Sequence, residues 1–350
     1  MKNRKKVLVL TYFFVSILLL AACGSKPADK KEKEKVLNVF NWSEYIPSTV
    51  IKQFEEETGI KVNYSTYGSN EEMYAKLSVG NSGYDITVPT LFYLDILMEQ
   101  GMLEEINKDN IPNLKNIGED FLGLNIDPEN DYSIPFMWGT GVIAVNEELI
   151  DKEVTGYKDL FDSEFENSIV ASDDMRFILS AMLAVEGYEP NSTNKEEIDK
   201  AGEKMKELLP NIKAFDGDSP KTMLITNEAK AGILYGGEAA LAIQENPAIK
   251  MVLPEEYLLL WQENIVIPKG APHLENAEKF IDFLLRPDIS KEITMSYPYA
   301  NPNLEALKEI PEEIRQLIEL PTEDLNRGVY AEDVGEATVI YDRVWSEIKQ

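Results

Sequence analysis

Aromatic and acidic side chains lie next to each other at several points of this sequence. Trp42 and Tyr45 flank Glu44. Trp261 is separated from Glu263 by one residue. An aromatic ring attracts a cation by about 0.5–2 kcal/mol and also packs against methylene groups. A carboxylate supplies the counter-charge that a buried ammonium group requires, so these residue types suit the binding of a flexible organic cation.

More residues of both types follow runs that are typical of strands, or lie beside a proline. These are Phe92, Tyr93, Asp173, Asp174, Tyr297 and Tyr299. Any one ring taken alone is better explained by packing in the core. Their number at positions typical of turns favours a functional role, because loops carry many binding residues.

The elements that must position these residues start with an alternating pattern of strands and helices. Strands are predicted over 36–40, 60–64 and 85–88, and helices over 48–58 and from the Ser69–Glu72 capping box to Leu77. This β-α-β-α-β order predicts a parallel sheet. Ligands of such sheets bind beyond the carboxyl ends of the strands, where segments 41–45 and 89–93 follow.

The later part of the chain is also of α/β type. An extended run over 132–138 precedes Gly139 and Gly141, which we interpret as a crossover before a strand over 142–145. Strands over 232–235 and 264–267 place Trp261 and Glu263 in a loop, and helices are predicted over 238–244 and 333–348. The pattern is consistent with two α/β lobes.

The N-terminus indicates export. Basic residues precede an uncharged run that is shorter than the roughly 20 apolar residues of a membrane span, and 1–22 is typical of a signal peptide. Small residues then precede Cys23, a predicted lipidation site, with 23–35 as lipidated cysteine and flexible tether. The alternative is an uncleaved anchor with an incidental cysteine. We expect an extracytoplasmic protein with a lipid anchor in the cell membrane.

The composition disfavours several classes of function. The net charge of -28 at pH 7 disfavours nucleic acid as a partner. Cys23 is the only cysteine, so no disulfide is possible within the chain. His273 is the only histidine, which disfavours a metal site and catalysis by a Ser-His-Asp triad. No phosphate-binding glycine loop is found, and we expect no cofactor.

Several segments together resemble the spermidine/putrescine-binding proteins of bacterial ABC importers. They are 41–45 (NWSEY), 64–67 (YSTY), 70–77 (NEEMYAKL), 130–135 (NDYSIP) and 283–288 (FLLRPD). The resemblance implies a type II periplasmic-binding-protein fold of the α/β class, with a hinge between two lobes. We assign 36–139 with 263–309 to lobe 1 and 140–262 with 310–350 to lobe 2. The resemblance also implies a polyamine ligand, a permease and an ATPase as partners, and a monomeric protein without enzymatic activity.

The resemblance also implies which residues contact the ligand. They are Trp42, Ser43, Tyr45, Phe92, Asp174, Tyr235, Trp261, Glu263 and Tyr297, and we add Glu44 because Trp42 and Tyr45 flank it. Asp174 matches an ammonium-binding carboxylate and Trp261 a stacking indole, while Glu263 replaces an aspartate. Phe177 stands where the family has a second carboxylate, and Gly217 and Ala331 replace polar contacts. We interpret these departures as an altered length preference or a different cation.

Other functions remain open at this point. The same fold with another small cation or an amino acid is the nearest alternative. A secreted glycoside hydrolase with two carboxylates also suits a chain rich in acids and aromatic residues. A surface docking protein would need no closed pocket. Turnover of a glycoside, or a rise in Tm on ligand addition, separates these classes.

Overall fold

The computed structural model of the protein describes residues 35–350. The predicted signal peptide, the lipidation site Cys23 and nearly all of the predicted tether lie outside the described residues. Within 35–350, no helix has the length and apolar character that crossing a membrane requires.

Strands and helices alternate along most of the described chain, as the sequence pattern predicts. The strands are β1 (Val36–Trp42), β2 (Lys61–Tyr67), β3 (Ile86–Thr87), β4 (Ser133–Asn146), β5 (Ile169–Ser172), β6 (Ile212–Asp216), β7 (Ala231–Tyr235), β8 (Ile249–Val252), β9 (Leu258–Val266) and β10 (Gly328–Tyr330). The helices are α1 (Ser48–Thr58), α2 (Asn70–Ser78), α3 (Leu91–Glu99), α4 (Met175–Val185), α5 (Lys195–Leu208), α6 (Lys221–Ile225), α7 (Gly236–Glu245), α8 (Leu274–Leu284), α9 (Pro287–Ser296), α10 (Leu304–Leu307), α11 (Glu312–Ile318), α12 (Thr322–Leu325) and α13 (Thr338–Ile348).

The first part of the chain forms the predicted parallel arrangement. β1 pairs in parallel with both β2 and β3. Phe54 is buried on the inner face of α1, and Gly59 ends that helix in the left-handed region at φ 68°. Ser69 accepts a hydrogen bond from the backbone N–H of Glu72, which confirms the predicted start of α2. Segments 41–45 and 89–93 therefore follow the carboxyl ends of neighbouring strands.

One long strand, β4, links the two halves of the sheet. Its first part pairs with β9, and its second part pairs with β7 and β8. At the predicted crossover, Gly139 and Gly141, the pairing of β4 changes from β9 to β7, while the strand itself continues through both residues and all fourteen of its residues are buried. The two glycines also make room for aromatic side chains, as described below.

The strand order is β2-β1-β3-β9-β4-β7-β5-β6, with β10 beside β9 and β8 beside β4. We call β1–β3 with α1–α3 the first lobe, and β5–β8 with α4–α7 the second lobe. The two-lobed α/β arrangement is thus the one predicted. The exact residue boundaries of the lobes stay a prediction, since β4 is hydrogen-bonded to β9 and to strands of the second lobe.

Three predicted boundaries are wrong near the functional residues. Trp261 and Glu263 lie inside β9, whose nine residues are all buried, and not in a loop before a strand. Helix α7 begins at Gly236 and includes both glycines that were expected to precede it. Helix α13 begins at Thr338, after a short 3-10 turn. A strand that is buried on both faces lacks the alternating pattern that marks a strand in sequence.

Candidate ligand-binding site

A cavity of about 350 Å³ is lined by residues of both lobes and of the central strand β9. Nine of the ten candidate residues line it, namely Trp42, Ser43, Glu44, Tyr45, Phe92, Asp174, Tyr235, Trp261 and Glu263. Tyr297 is not among the lining residues, whereas Tyr299, on the other side of Pro298, is. Their role as ligand contacts stays a prediction.

Aromatic rings form a continuous wall along this cavity. Tyr235 meets Trp261 edge to face with ring centroids 5.8 Å apart. Trp261 meets Tyr299 in the same way at 5.3 Å. Tyr45 follows at 5.5 Å from Tyr299, and Trp42 at 6.2 Å from Tyr45. Such a wall offers ring faces and edges to methylene groups and to cations along its whole length.

Three glycines make room for aromatic rings at this cavity. A Cβ atom at Gly139 would lie 2.7 Å from the indole of Trp261, and one at Gly141 would overlap the ring of Phe177. A Cβ at Gly237 would overlap the ring of Tyr299. We infer that these glycines are needed for close packing of rings rather than for backbone freedom.

Glu263 is a buried carboxyl group without a cationic partner among residues 35–350. The residue is 2% exposed. The indole N–H of Trp42 donates to its Oε2 at 3.2 Å and also to the backbone oxygen of Val88 at 2.9 Å. Burial raises the pKa of Glu263 well above its usual value, and the single hydrogen bond from Trp42 opposes this shift only partly.

Asp174 lies beyond Tyr235, toward the other end of the ring wall. It caps α4, and its Oδ1 accepts the backbone N–H of Phe177 at 2.9 Å. Its Oδ2 accepts the hydroxyl of Tyr235 at 2.7 Å. Burial raises the pKa of Asp174, although both hydrogen bonds oppose the shift, and the nearby carboxylate of Glu71 raises it further.

The residues that depart from the family pattern all line the same cavity. Phe177 is 1% exposed, and its ring packs 5.2 Å from that of Tyr235. The family's second carboxylate is therefore replaced by an extension of the aromatic wall. Gly217 and Ala331 also line the cavity and supply no side-chain hydrogen bond.

Sequence reasoning did not include several lining residues. Glu71, Arg176, Tyr299 and Asp342 line the cavity. Tyr297 and Tyr299 lie two residues apart, on either side of Pro298. The alternation of side chains along an extended segment therefore does not distinguish them. Glu71 and Asp342 come from helices α2 and α13, which are distant in sequence, and local patterns carry no signal of their approach.

Comparison with known proteins gives relatives of nearly full length. A family model described as bacterial extracellular solute-binding protein matches residues 49–322. The spermidine/putrescine-binding periplasmic protein of Escherichia coli K12 is 38% identical, and the match covers 91% of this chain and 92% of that protein. The protein of the same name from Salmonella typhimurium is 38% identical over 94% of this chain and 95% of that protein.

Solved structures give the same result. A structure described as a spermidine/putrescine ABC transporter from Listeria monocytogenes has a TM-score of 0.87 at 34% identity, covering 90% of this chain and 99% of that chain. The spermidine/putrescine ABC transporter substrate-binding protein of Streptococcus pneumoniae has a TM-score of 0.77 at 33% identity, with coverage of 90% and 98%. The two-lobed architecture is that of the periplasmic binding proteins. The chain belongs to the bacterial extracellular solute-binding proteins, in the spermidine/putrescine-binding protein family.

Proposed function

We propose that the protein is an extracytoplasmic substrate-binding lipoprotein that captures a polyamine, such as putrescine or spermidine, and delivers it to an ABC importer. The names of its relatives support the ligand class and the transporter. The observation in the structure that carries the proposal is Glu263, a buried carboxyl group that lines an aromatic cavity and has no cationic partner among residues 35–350.

The ligand that such a group favours is a cation. A buried carboxylate without a counter-charge is unfavourable, and the raised pKa of Glu263 expresses this. An ammonium group about 4 Å away would contribute roughly 4 kcal/mol at an effective dielectric constant of 20. A neutral ligand would leave the carboxylate uncompensated, and an anionic ligand would add repulsion. The ring faces of Trp42 and Trp261 would attract the same cation.

Asp174 provides a second place for an ammonium group. It lies past Tyr235 from Trp261, so the ring wall runs between the two carboxyl groups. Each methylene group buried against the rings contributes about 0.8 kcal/mol. A chain of methylene groups with an ammonium at each end therefore matches the sequence of acid, rings and acid along the cavity.

An amino acid fits the cavity less well than an amine. Its carboxylate would need a cationic partner, and Arg176 is the only Lys or Arg among the described residues that line the cavity. The guanidinium group of Arg176 already donates to the backbone oxygen of Glu332 and to the side chain of Asn191, both at 3.1 Å. We therefore favour an amine without a carboxylate.

A hydrolase with paired carboxylates has less support. Such an enzyme needs one carboxyl group as acid and another as nucleophile or base. The relatives of nearly full length are named as binding proteins. We propose that this chain has no enzymatic activity.

We also propose a place in the cell and a mode of closure. Cys23, preceded by Ala21 and Ala22, would carry the lipid, and the polar residues after it would act as the tether. The anchored monomer would dock on the permease and the ATPase. Lobes 36–139 with 263–309 and 140–262 with 310–350 would close over the ligand by bending at β4 and β9.

Calorimetry of the purified protein tests the proposal. We expect putrescine or spermidine to bind with a Kd in the micromolar range or tighter, about -8 kcal/mol. Amino acids, sugars and glycosides serve as the comparison set. Binding of a neutral or anionic compound in preference to every amine would contradict the proposal, and so would turnover of a glycoside.

A further inference from the structure

The side chain of Lys221 joins two acidic residues that line the cavity. Its Nζ lies 2.9 Å from Oε2 of Glu44, 3.0 Å from Oε1 of Glu238 and 3.1 Å from Oε2 of Glu238. The side chains of Lys221 and Glu238 are only 13% and 9% exposed. A buried ion pair of this kind differs from exposed surface pairs, which contribute little.

The three residues come from both lobes. Glu44 follows β1 in the first lobe and has a left-handed backbone at φ 53°, which is uncommon for a residue with a side chain. Lys221 begins α6 and Glu238 lies in the first turn of α7, both in the second lobe. Glu44 and Glu238 line the cavity, whereas Lys221 is not among its described lining residues.

This group of charges lies beside Tyr299 in the ring wall, two rings away from Tyr235, which bonds to Asp174. The glycine before Glu238 packs against the ring of Tyr299. Burial raises the pKa of the Tyr299 hydroxyl, and Glu238, Glu44 and Glu263 raise it further. Along the wall, Asp174 therefore lies at Tyr235, Glu238 and Glu44 lie near Tyr299, and Glu263 lies at Trp42.

The lysine changes what these two carboxylates can do for a ligand. Three of their four oxygens contact its ammonium group. Two carboxylates and one ammonium carry a net charge of only -1. The side chain of Glu44 is 46% exposed, but those of Lys221 and Glu238 are largely buried, so an ammonium group of a ligand arriving there would be repelled by the positive charge of Lys221.

We propose that Lys221 determines selectivity by occupying, with its own ammonium group, the carboxylates that would otherwise receive a third ammonium of a ligand. The cavity then favours ligands with two ammonium groups, placed at Glu263 and Asp174, over ligands with three. This inference rests on the proposed function, since it concerns the length of the amine that the same cavity accepts.

Calorimetry of the purified protein with putrescine and spermidine provides the test. In Lys221→Met the two carboxylates lose their cation while the bulk of the side chain is kept. We expect the ratio of the spermidine affinity to the putrescine affinity to increase at least tenfold over the wild-type ratio. Lys221→Arg keeps a cation and should keep the wild-type ratio. Lys213→Met makes the same change of charge at an exposed residue away from the cavity and should alter neither affinity.

The outcomes separate the inference from the proposed function. If the wild-type protein binds neither amine, the proposed function fails and this inference falls with it. If the wild-type protein binds amines and Lys221→Met leaves the ratio unchanged, only the inference is overturned. An equal fall of both affinities would mean that Lys221 merely holds the lobes together, which also overturns it. If Lys221→Met does not fold, Lys221→Gln is read by the same ratio.

Discussion

Two buried carboxyl groups that line the cavity differ in whether the protein supplies a cation. Glu263 and Glu238 are both buried, at 2% and 7% exposure, and burial raises the pKa of each. The ammonium group of Lys221 opposes the shift at Glu238, whereas only the indole N–H of Trp42 does so at Glu263. Burial of an acid therefore does not by itself indicate a ligand site. Among the described residues, Glu238 has a cationic partner in Lys221 and Glu263 has none. This difference identifies Glu263 as the carboxyl group that a ligand cation would meet.

Replacing Glu263 by glutamine should have the largest effect on ligand affinity. The change removes the charge and keeps the shape, so a ligand ammonium would be buried without compensation. We expect the affinity for putrescine to fall at least hundredfold, about 2.7 kcal/mol, measured by calorimetry. Glu278→Gln is the matched control, because Glu278 is equally buried and bonds to Asn107 and Asn110 outside the cavity. Equal affinities of Glu263→Gln and the wild type would remove Glu263 from the site.

Asp174→Asn should have the next largest effect. Asparagine caps a helix as well as aspartate does, so α4 should remain intact while the charge is lost. We expect the affinity for the preferred amine to fall by about tenfold or more, or about 1.4 kcal/mol. Asp162→Asn changes a capping aspartate outside the cavity and should leave the affinity unchanged. If both variants bind like the wild type, Asp174 serves only as a helix cap.

The pH dependence of binding tests whether Glu263, unlike Glu238, lacks a cation in the unliganded protein. Amines stay protonated below about pH 10, so the titration between pH 5 and 8 reports on the protein. Because burial raises the pKa of Glu263, the unliganded carboxyl group must lose a proton when an ammonium binds. Affinity should therefore rise with pH, by up to about tenfold per unit below the raised pKa, and binding should release protons. Calorimetry in buffers of different ionisation enthalpy counts these protons, and a profile in Glu263→Gln as steep as that of the wild type would contradict the assignment.

The smallest effects should appear in the Tm without ligand, and they should have opposite signs. Glu263→Gln removes an unfavourable buried acid and should raise the Tm by a few degrees. The folded pKa of Glu263 is raised, so its contribution to stability falls as pH increases above about 4.3, and the gain in the variant should grow with pH. Lys221→Met leaves Glu238 without its cation and should lower the Tm by about 2–4 °C. If thermal denaturation shows Tm shifts of the same sign for Glu263→Gln and Lys221→Met, then Glu263 and Glu238 do not differ in their charge partners as described.

Local sequence determines much of the framework. The bounds of α1 are predicted correctly, because the apolar spacing and Gly59 act within one helix. The parallel order of β1, β2 and β3 is likewise predictable, since helices of the observed length permit only crossover connections. Nine of the ten candidate residues line one cavity. The sequence identifies them because they follow predicted strand ends or match the family pattern.

Only the tertiary structure determines which charged groups are buried and which have a partner of opposite charge. Trp42 and Glu263 are 221 residues apart, and Lys221 is 177 residues from Glu44, so no local pattern contains either contact. The choice of Tyr299 over Tyr297, and the position of Trp261 within a buried strand, likewise depend on packing between lobes. Side-chain type and spacing are properties of the chain, whereas desolvation and the distance to a counter-charge exist only once distant segments have been brought together.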